Sequence, residues 1–101
     1  MNGKDKATRL KEFSLIALNL AENSSYIQVK REQIARAAGT SASTVNYVIG
    51  GPEEIREAIL KKAVELENVT VVAQALALRH PLAVAAPTLL KARAVRLLGT
   101  Y

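Results

Sequence analysis

The sequence predicts an all-α protein, and three observations predict it. Half of the 101 residues are apolar but only four are aromatic, so the core must be built from Ala, Leu, Val and Ile. Apolar residues recur at helical spacing along most of the chain instead of alternating. Ser, Asn, Gly and Pro stand where such helices would be capped or broken. A chain of this length makes one compact domain, and domains this small often lean on a second copy of themselves.

Each element has its own local argument. Residues 1–7 are polar and charged and are expected to fray. From Thr8 to about Asn23, Phe13, Ile16, Ala17 and Leu20 form an apolar stripe at i, i+3, i+4 and i+7. Asn23-Ser24-Ser25 stops that helix, and Tyr26 to Val29 makes a short connector. A second helix is expected over Arg31–Ala38, ending at Gly39, which suits a left-handed cap. Ser41 is placed to cap a third, about Ala42 to Ile49, which Gly50-Gly51 ends. Pro52 at a first helical position, followed by Glu53 and Glu54, opens a fourth helix with Ile55, Ile59, Ala63 and Leu66 on one side. Val69 to Leu78 has only Thr70 and Gln74 as polar residues; periodicity leaves it a buried strand or helix, and its Ala/Leu content favours helix. Arg79-His80-Pro81 breaks it, and Pro87 opens a last helix over Thr88–Leu98. The expected total is about six helices.

Residues 31–50 read REQIARAAGTSASTVNYVIG. Two short helices joined by a three-residue turn containing Gly39, with small Ala35 at the crossing and Ile34, Ala38, Val45 and Val48 as contacts, have the spacing of a helix-turn-helix. On a helical wheel at about 100° per residue, Val45 and Ile49 point one way, flanked by Ala42 and Val48. Ser43 and Tyr47 point the opposite way, flanked by Thr44 and Asn46. The polar face carries short donors and acceptors and no acid, which suits the major groove of DNA.

The segment IARAAGTSASTVNYVIGGPEEIREAIL resembles the DNA-binding segment of the tetracycline-repressor family. The residues that carry the likeness are Ile34-Ala35, Ala38-Gly39, Ser41, Thr44-Val45, Tyr47, Ile49 and Glu53-Glu54-Ile55, with Ala17, Leu20, Ala21, Glu22 and Ser25-Tyr26 fitting the family's leading helix. The resemblance covers about residues 9–62. It implies that Thr44 and Tyr47 touch DNA, the Tyr47 hydroxyl on a phosphate, and that Ser41 caps the recognition helix beside the backbone. Where the family often has Lys, an aromatic and His, this chain has Ala42, Asn46 and Val48. Lys30, Arg31 or the N-terminal Lys4, Lys6, Arg9 and Lys11 are the candidates to replace the lost phosphate contacts. Asn46 is a candidate adenine reader, since its amide can pair with adenine N6 and N7. Only about 40 residues follow the fourth helix, too few for the family's usual ligand-binding domain, so no small-molecule effector is expected.

The expected architecture is therefore a tetracycline-repressor-like three-helix unit over 1–51, followed by two to three C-terminal helices over 52–101 that dimerise. A helix as apolar as Val69–Leu78 should be buried nearly all round, and four other helices could hardly cover it. Val72, Leu76, Leu82, Leu89 and Leu90, with Val84 and Val95, are thus candidates for a symmetric dimer interface; the alternative is an intrachain core. A dimer also suits a palindromic site read by two recognition helices.

Charge agrees in part. Fourteen Lys/Arg against nine Asp/Glu leave +5, residues 1–51 carry +3, and residues 37–51 carry no charge. Without cysteine, disulfides, cysteine-bound zinc and thiol catalysis are excluded, and a single histidine makes a metal site or triad implausible. No phosphate loop or nucleophile–base spacing is present, and no cofactor is expected. The opening MNGKDKATRLKEF has no signal-like apolar stretch and no run is long enough to span a membrane, so the expected location is the cytoplasm. The function expected is a non-enzymatic, dimeric, sequence-specific repressor binding double-stranded DNA through residues 42–49. The alternatives are a protein-interaction module working through the C-terminal helices and a non-specific DNA-coating protein.

Overall fold

Asp5 caps the first helix by accepting the Thr8 N–H on its carboxylate at 2.8 Å. The hydrogen bonds from Thr8, backbone first, hold this carboxyl below the usual carboxylate range. The computed structural model describes residues 5–99, so the fraying expected of residues 1–4 lies outside them, whereas Lys6 and Ala7 are helical. Seven helices follow one another among the described residues: α1 (Lys6–Glu22), α2 (Arg31–Ala38), α3 (Ala42–Val48), α4 (Pro52–Glu65), α5 (Val69–Ala77), α6 (Pro81–Val84) and α7 (Thr88–Leu98). The protein is all-α. The element beyond the expected six is α6, a single turn where the His80-Pro81 break was read as loop. Its N-cap is the His80 ring, whose Nδ1 accepts the Leu82 N–H at 3.1 Å.

The helix ends follow local chemistry. Gly39 closes α2 at φ 71°, and the Thr40 N–H reaches back to the Ala35 carbonyl at 2.9 Å, the bond of a Schellman turn. Ser41 caps α3 through the Thr44 N–H at 3.2 Å. Gly50 stands at φ 122°, and a Cβ there would lie 2.9 Å from Glu54 Cβ, so both backbone and space demand glycine. Glu54 in turn accepts the Gly51 N–H at 2.8 Å at the start of α4. The stops of α4 and α5 carry no glycine: Glu67 (φ 54°) and Arg79 (φ 56°) take the left-handed position themselves.

Helix α1 lies at the centre and packs against α2, α3, α4 and α5. Its apolar arc is consequently wider than the expected stripe. Phe13, Ser14, Ala17, Leu18 and Ala21 are buried, while Ile16 and Leu20 are only partly so. On α4 the buried set is Ile55, Ile59, Leu60 and Ala63, and Leu66, past the last helical residue, is exposed instead of inward-facing. One hydrophobic cluster runs from Phe13 through Ile34, Val45, Ile59 and Val72 to Leu90 and Ala94.

The C-terminal helices correct the expected dimer surface. Val72 and Leu90 are 1% and 4% exposed and belong to the chain's own core. Leu76 and Leu82 are half-buried against that core, while Leu89 (81% exposed), Val95 (59%) and Val84 (49%) face outward. The physical reason is that the chain itself encloses α5, through α1, α4, α6 and most extensively α7, with the small buried Ala73, Ala75 and Ala94 allowing close packing.

Helix α5 is tied to the end of α1 by its few polar residues. Gln74 accepts the Tyr26 N–H on Oε1 at 2.9 Å and donates Nε2 to the Ala21 carbonyl at 3.1 Å. Asn68 caps α5 through the Val71 N–H at 3.0 Å and donates to Glu22 at 2.9 Å. The Tyr26 ring is buried, meets His80 edge-on at 6.0 Å, and burial pushes its hydroxyl above the ordinary tyrosine range. Gln74→Ala should therefore destabilise the fold by about 1–3 kcal/mol, by leaving the Tyr26 N–H without its acceptor. Urea unfolding checks this: the midpoint falls while the slope stays unchanged.

Candidate nucleic-acid interface

The face of α3 is set by its inner side. Val45 is fully buried and Val48 nearly so, both seated in the core cluster with Ile34 and Ala35 of α2. With Val45 and Val48 fixed inward, helical geometry turns Ser43, Asn46 and Tyr47 outward, and all three are exposed. Thr44 is half-buried. The turn at 39–41 holds the two helices in this relation through Gly39 and the Ser41 cap. The arrangement follows from residues at one spacing: apolar where α3 meets α1 and α2, hydrogen-bonding where it meets solvent.

The start of α3 is a small hydroxyl cluster. Besides accepting the Thr44 N–H, Ser41 Oγ lies 3.0 Å from Thr44 Oγ1 and 3.4 Å from Ser43 Oγ. Ser41 and Thr44 therefore spend part of their hydrogen-bonding capacity on the helix end. Ser43, the most weakly held, keeps the greatest reach.

Two cations from other elements join this face. Lys6, in the first turn of α1, places its ammonium 4.6 Å from the centroid of the Tyr47 ring, which is itself 69% exposed. Arg31, the first residue of α2, donates from Nη1 to Asn46 Oδ1 at 2.8 Å. Lys30, one residue earlier, has an exposed side chain, and its backbone N–H is held by Gln33 Oε1 at 2.8 Å. So of the seven residues read as DNA-contacting, Arg31, Ser41, Ser43, Thr44, Asn46 and Tyr47 are brought to one side of α2 and α3 or linked directly to it. Lys30 enters only as the neighbour of Arg31. Of the N-terminal cations considered as replacements, Lys4 lies outside the described residues and Lys6 alone has a described contact with α3.

The link between Arg31 and Asn46 is what residue-by-residue reasoning missed. The two are fifteen positions apart, and only the angle at which α2 meets α3 makes them neighbours. The one available signal was that both stand next to the expected recognition face. Among the described residues, no cluster of three His, Asp or Glu could hold a metal ion, and no helix is long and apolar enough to cross a membrane.

Ser41 holds the first turn of the helix that presents this face. Ser41→Ala should cost about 1 kcal/mol of stability through loss of the cap. Thermal unfolding with far-UV circular dichroism measures it, and Ser41→Asp, which restores an acceptor at the same position, should recover most of the loss. Set against models of protein families, curated proteins and solved structures, the chain matches none, so the reading of this face rests on its own residues.

Proposed function

We propose that this chain is a sequence-specific DNA-binding regulator of transcription, a dimeric repressor whose helix-turn-helix, α2 and α3, resembles that of the tetracycline-repressor family. The observation that carries the reading is the outer face of α3. It offers Ser43, Asn46 and Tyr47 without an acid, beside the cations Lys6 and Arg31. A major-groove helix requires this chemistry: donors and acceptors for base edges, positive charge for phosphate, and no carboxylate to be repelled. In this reading Tyr47, Lys6 and Lys30 hold phosphates, Ser43 and Asn46 meet bases, and Thr44 and Ser41 support the helix end. Repression is steric: the bound protein occupies the operator and excludes polymerase.

One seven-residue helix meets few base pairs, so a useful affinity calls for two copies on a palindrome. The surface available for that pairing is the outer arc of α7, where Leu89 is 81% and Val95 59% exposed. The same arc is what favours the second reading, a protein-interaction module that keeps the helix-turn-helix only as scaffold.

Selection of bound duplexes from a random library tests the first reading. The expected result is an enriched palindrome with half-sites about one helical turn apart. Binding without a consensus, with steep salt dependence, would instead indicate a coating protein. Tyr47→Phe keeps the ring under Lys6 and removes only the hydroxyl, so it should weaken binding to all sequences alike. Asn46→Ala should relax preference at one base pair, by about 1–3 kcal/mol. Separately, Leu89→Glu should turn a dimer into a folded monomer, checked by sedimentation equilibrium alongside circular dichroism. A wild-type protein already monomeric at tens of micromolar would remove the dimer.

A further inference from the structure

We infer that Arg31 and Asn46 act as one donor-only reading unit, which selects guanine instead of adenine at the base that Asn46 meets. The inference rests on the DNA-binding role proposed above and changes the base that the sequence alone assigned to Asn46.

The argument begins with the 2.8 Å bond from Arg31 Nη1 to Asn46 Oδ1. A guanidinium has five N–H donors and no acceptor, so the amide atom that faces it is the oxygen. This fixes which end of the Asn46 amide turns toward α2 and which end turns away. An asparagine reads adenine by using both ends, accepting from the N6 amino group on Oδ1 while donating from Nδ2 to N7. Here the accepting end already holds a charged donor. An incoming N6 amino group would have to share that oxygen with a cation and face its N–H groups. The donating end keeps both Nδ2 hydrogens.

Guanine presents the complementary edge, because its O6 and N7 are both acceptors in the major groove. Donors from Asn46 Nδ2 and the remaining N–H groups of Arg31 meet that edge without breaking the bond between them. Nothing on α3 opposes the cation, since residues 37–51 carry no charge. The neighbouring Ser43 hydroxyl can donate or accept and so leaves the choice of base to the pair. Arg31 is therefore a positioning residue for Asn46 as well as a donor.

Duplex selections with the wild-type protein, Asn46→Ala and Arg31→Met test this. The position at which Asn46→Ala loses preference identifies the base concerned. There the wild type should favour guanine over adenine by roughly tenfold. Arg31→Met, which frees the Asn46 oxygen while keeping side-chain length, should abolish or reverse that ratio, with adenine now accepted. A purely electrostatic or structural role for Arg31 would lower affinity for all duplexes and leave the ratio unmoved, overturning the inference. A wild-type preference for adenine at that position would overturn it too, with the DNA-binding reading intact. Failure of the wild type to recover any duplex at low salt would overturn both readings. Circular dichroism of Arg31→Met establishes that the variant is folded, and the wild-type preference decides the question even if it is not.

Discussion

The side chain of Gln74 joins the two halves of this protein. Helix α5 is nearly all apolar and must be buried, but the segment it packs against includes the end of α1 and the turn that follows, where backbone groups have lost their helical partners. An apolar side chain facing that turn would leave the Tyr26 N–H unsatisfied, at a cost comparable with a sizeable share of the stability of a small domain. Gln74 meets both needs from one position, accepting from Tyr26 and donating to Ala21. Asn68, the N-cap of α5, makes a parallel tie to Glu22. Apolar burial of α5 and polar closure of the α1 end are thus one structural fact. The direction in which the chain leaves toward α2 depends on it.

From that anchor the geometry of the candidate interface follows. The turn after α1 delivers Arg31 to the first position of α2, and the left-handed Gly39 sends α3 back across α1. Val45 and Val48 then decide which side of α3 is outside. Lys6 arrives from the opposite end of α1, which the capping of Asp5 keeps helical. The face therefore draws on three helices, although only one of them carries its polar pattern. The exposed ion pairs of the molecule, such as Arg93 with Glu67, contribute little to any of this.

The C-terminal part obeys a different constraint. Alanines at the contact let α7 approach α5 closely, which encloses Val72 and Leu90 but leaves the far side of α7 uncovered. Exposed apolar side chains therefore remain at this end: Leu89 and Val95 on α7, Val84 on α6 and Leu78 at the end of α5.

Much of the fold was legible in the sequence because its signals are local. Gly39, Ser41, Gly50, Pro52 and Pro87 punctuate helices whatever the rest of the chain does, so α2 and α7 have the expected bounds and α3, α4 and α5 nearly so. The polar face of α3 was legible for the same reason: inward and outward positions on seven residues are fixed by helical period once Val45 and Val48 are buried. What escaped was whatever depends on the angle and distance between helices. The sequence identified Val72 and Leu90 as strongly apolar, but whether they cover a partner or the chain itself was decided by how closely α7 can approach α5. It likewise marked Arg31 and Asn46 one by one as candidate contacts. Only the crossing of α2 and α3 makes them a pair, because a hydrogen bond between side chains fifteen residues apart is a property of packing, with no periodicity in the chain to announce it.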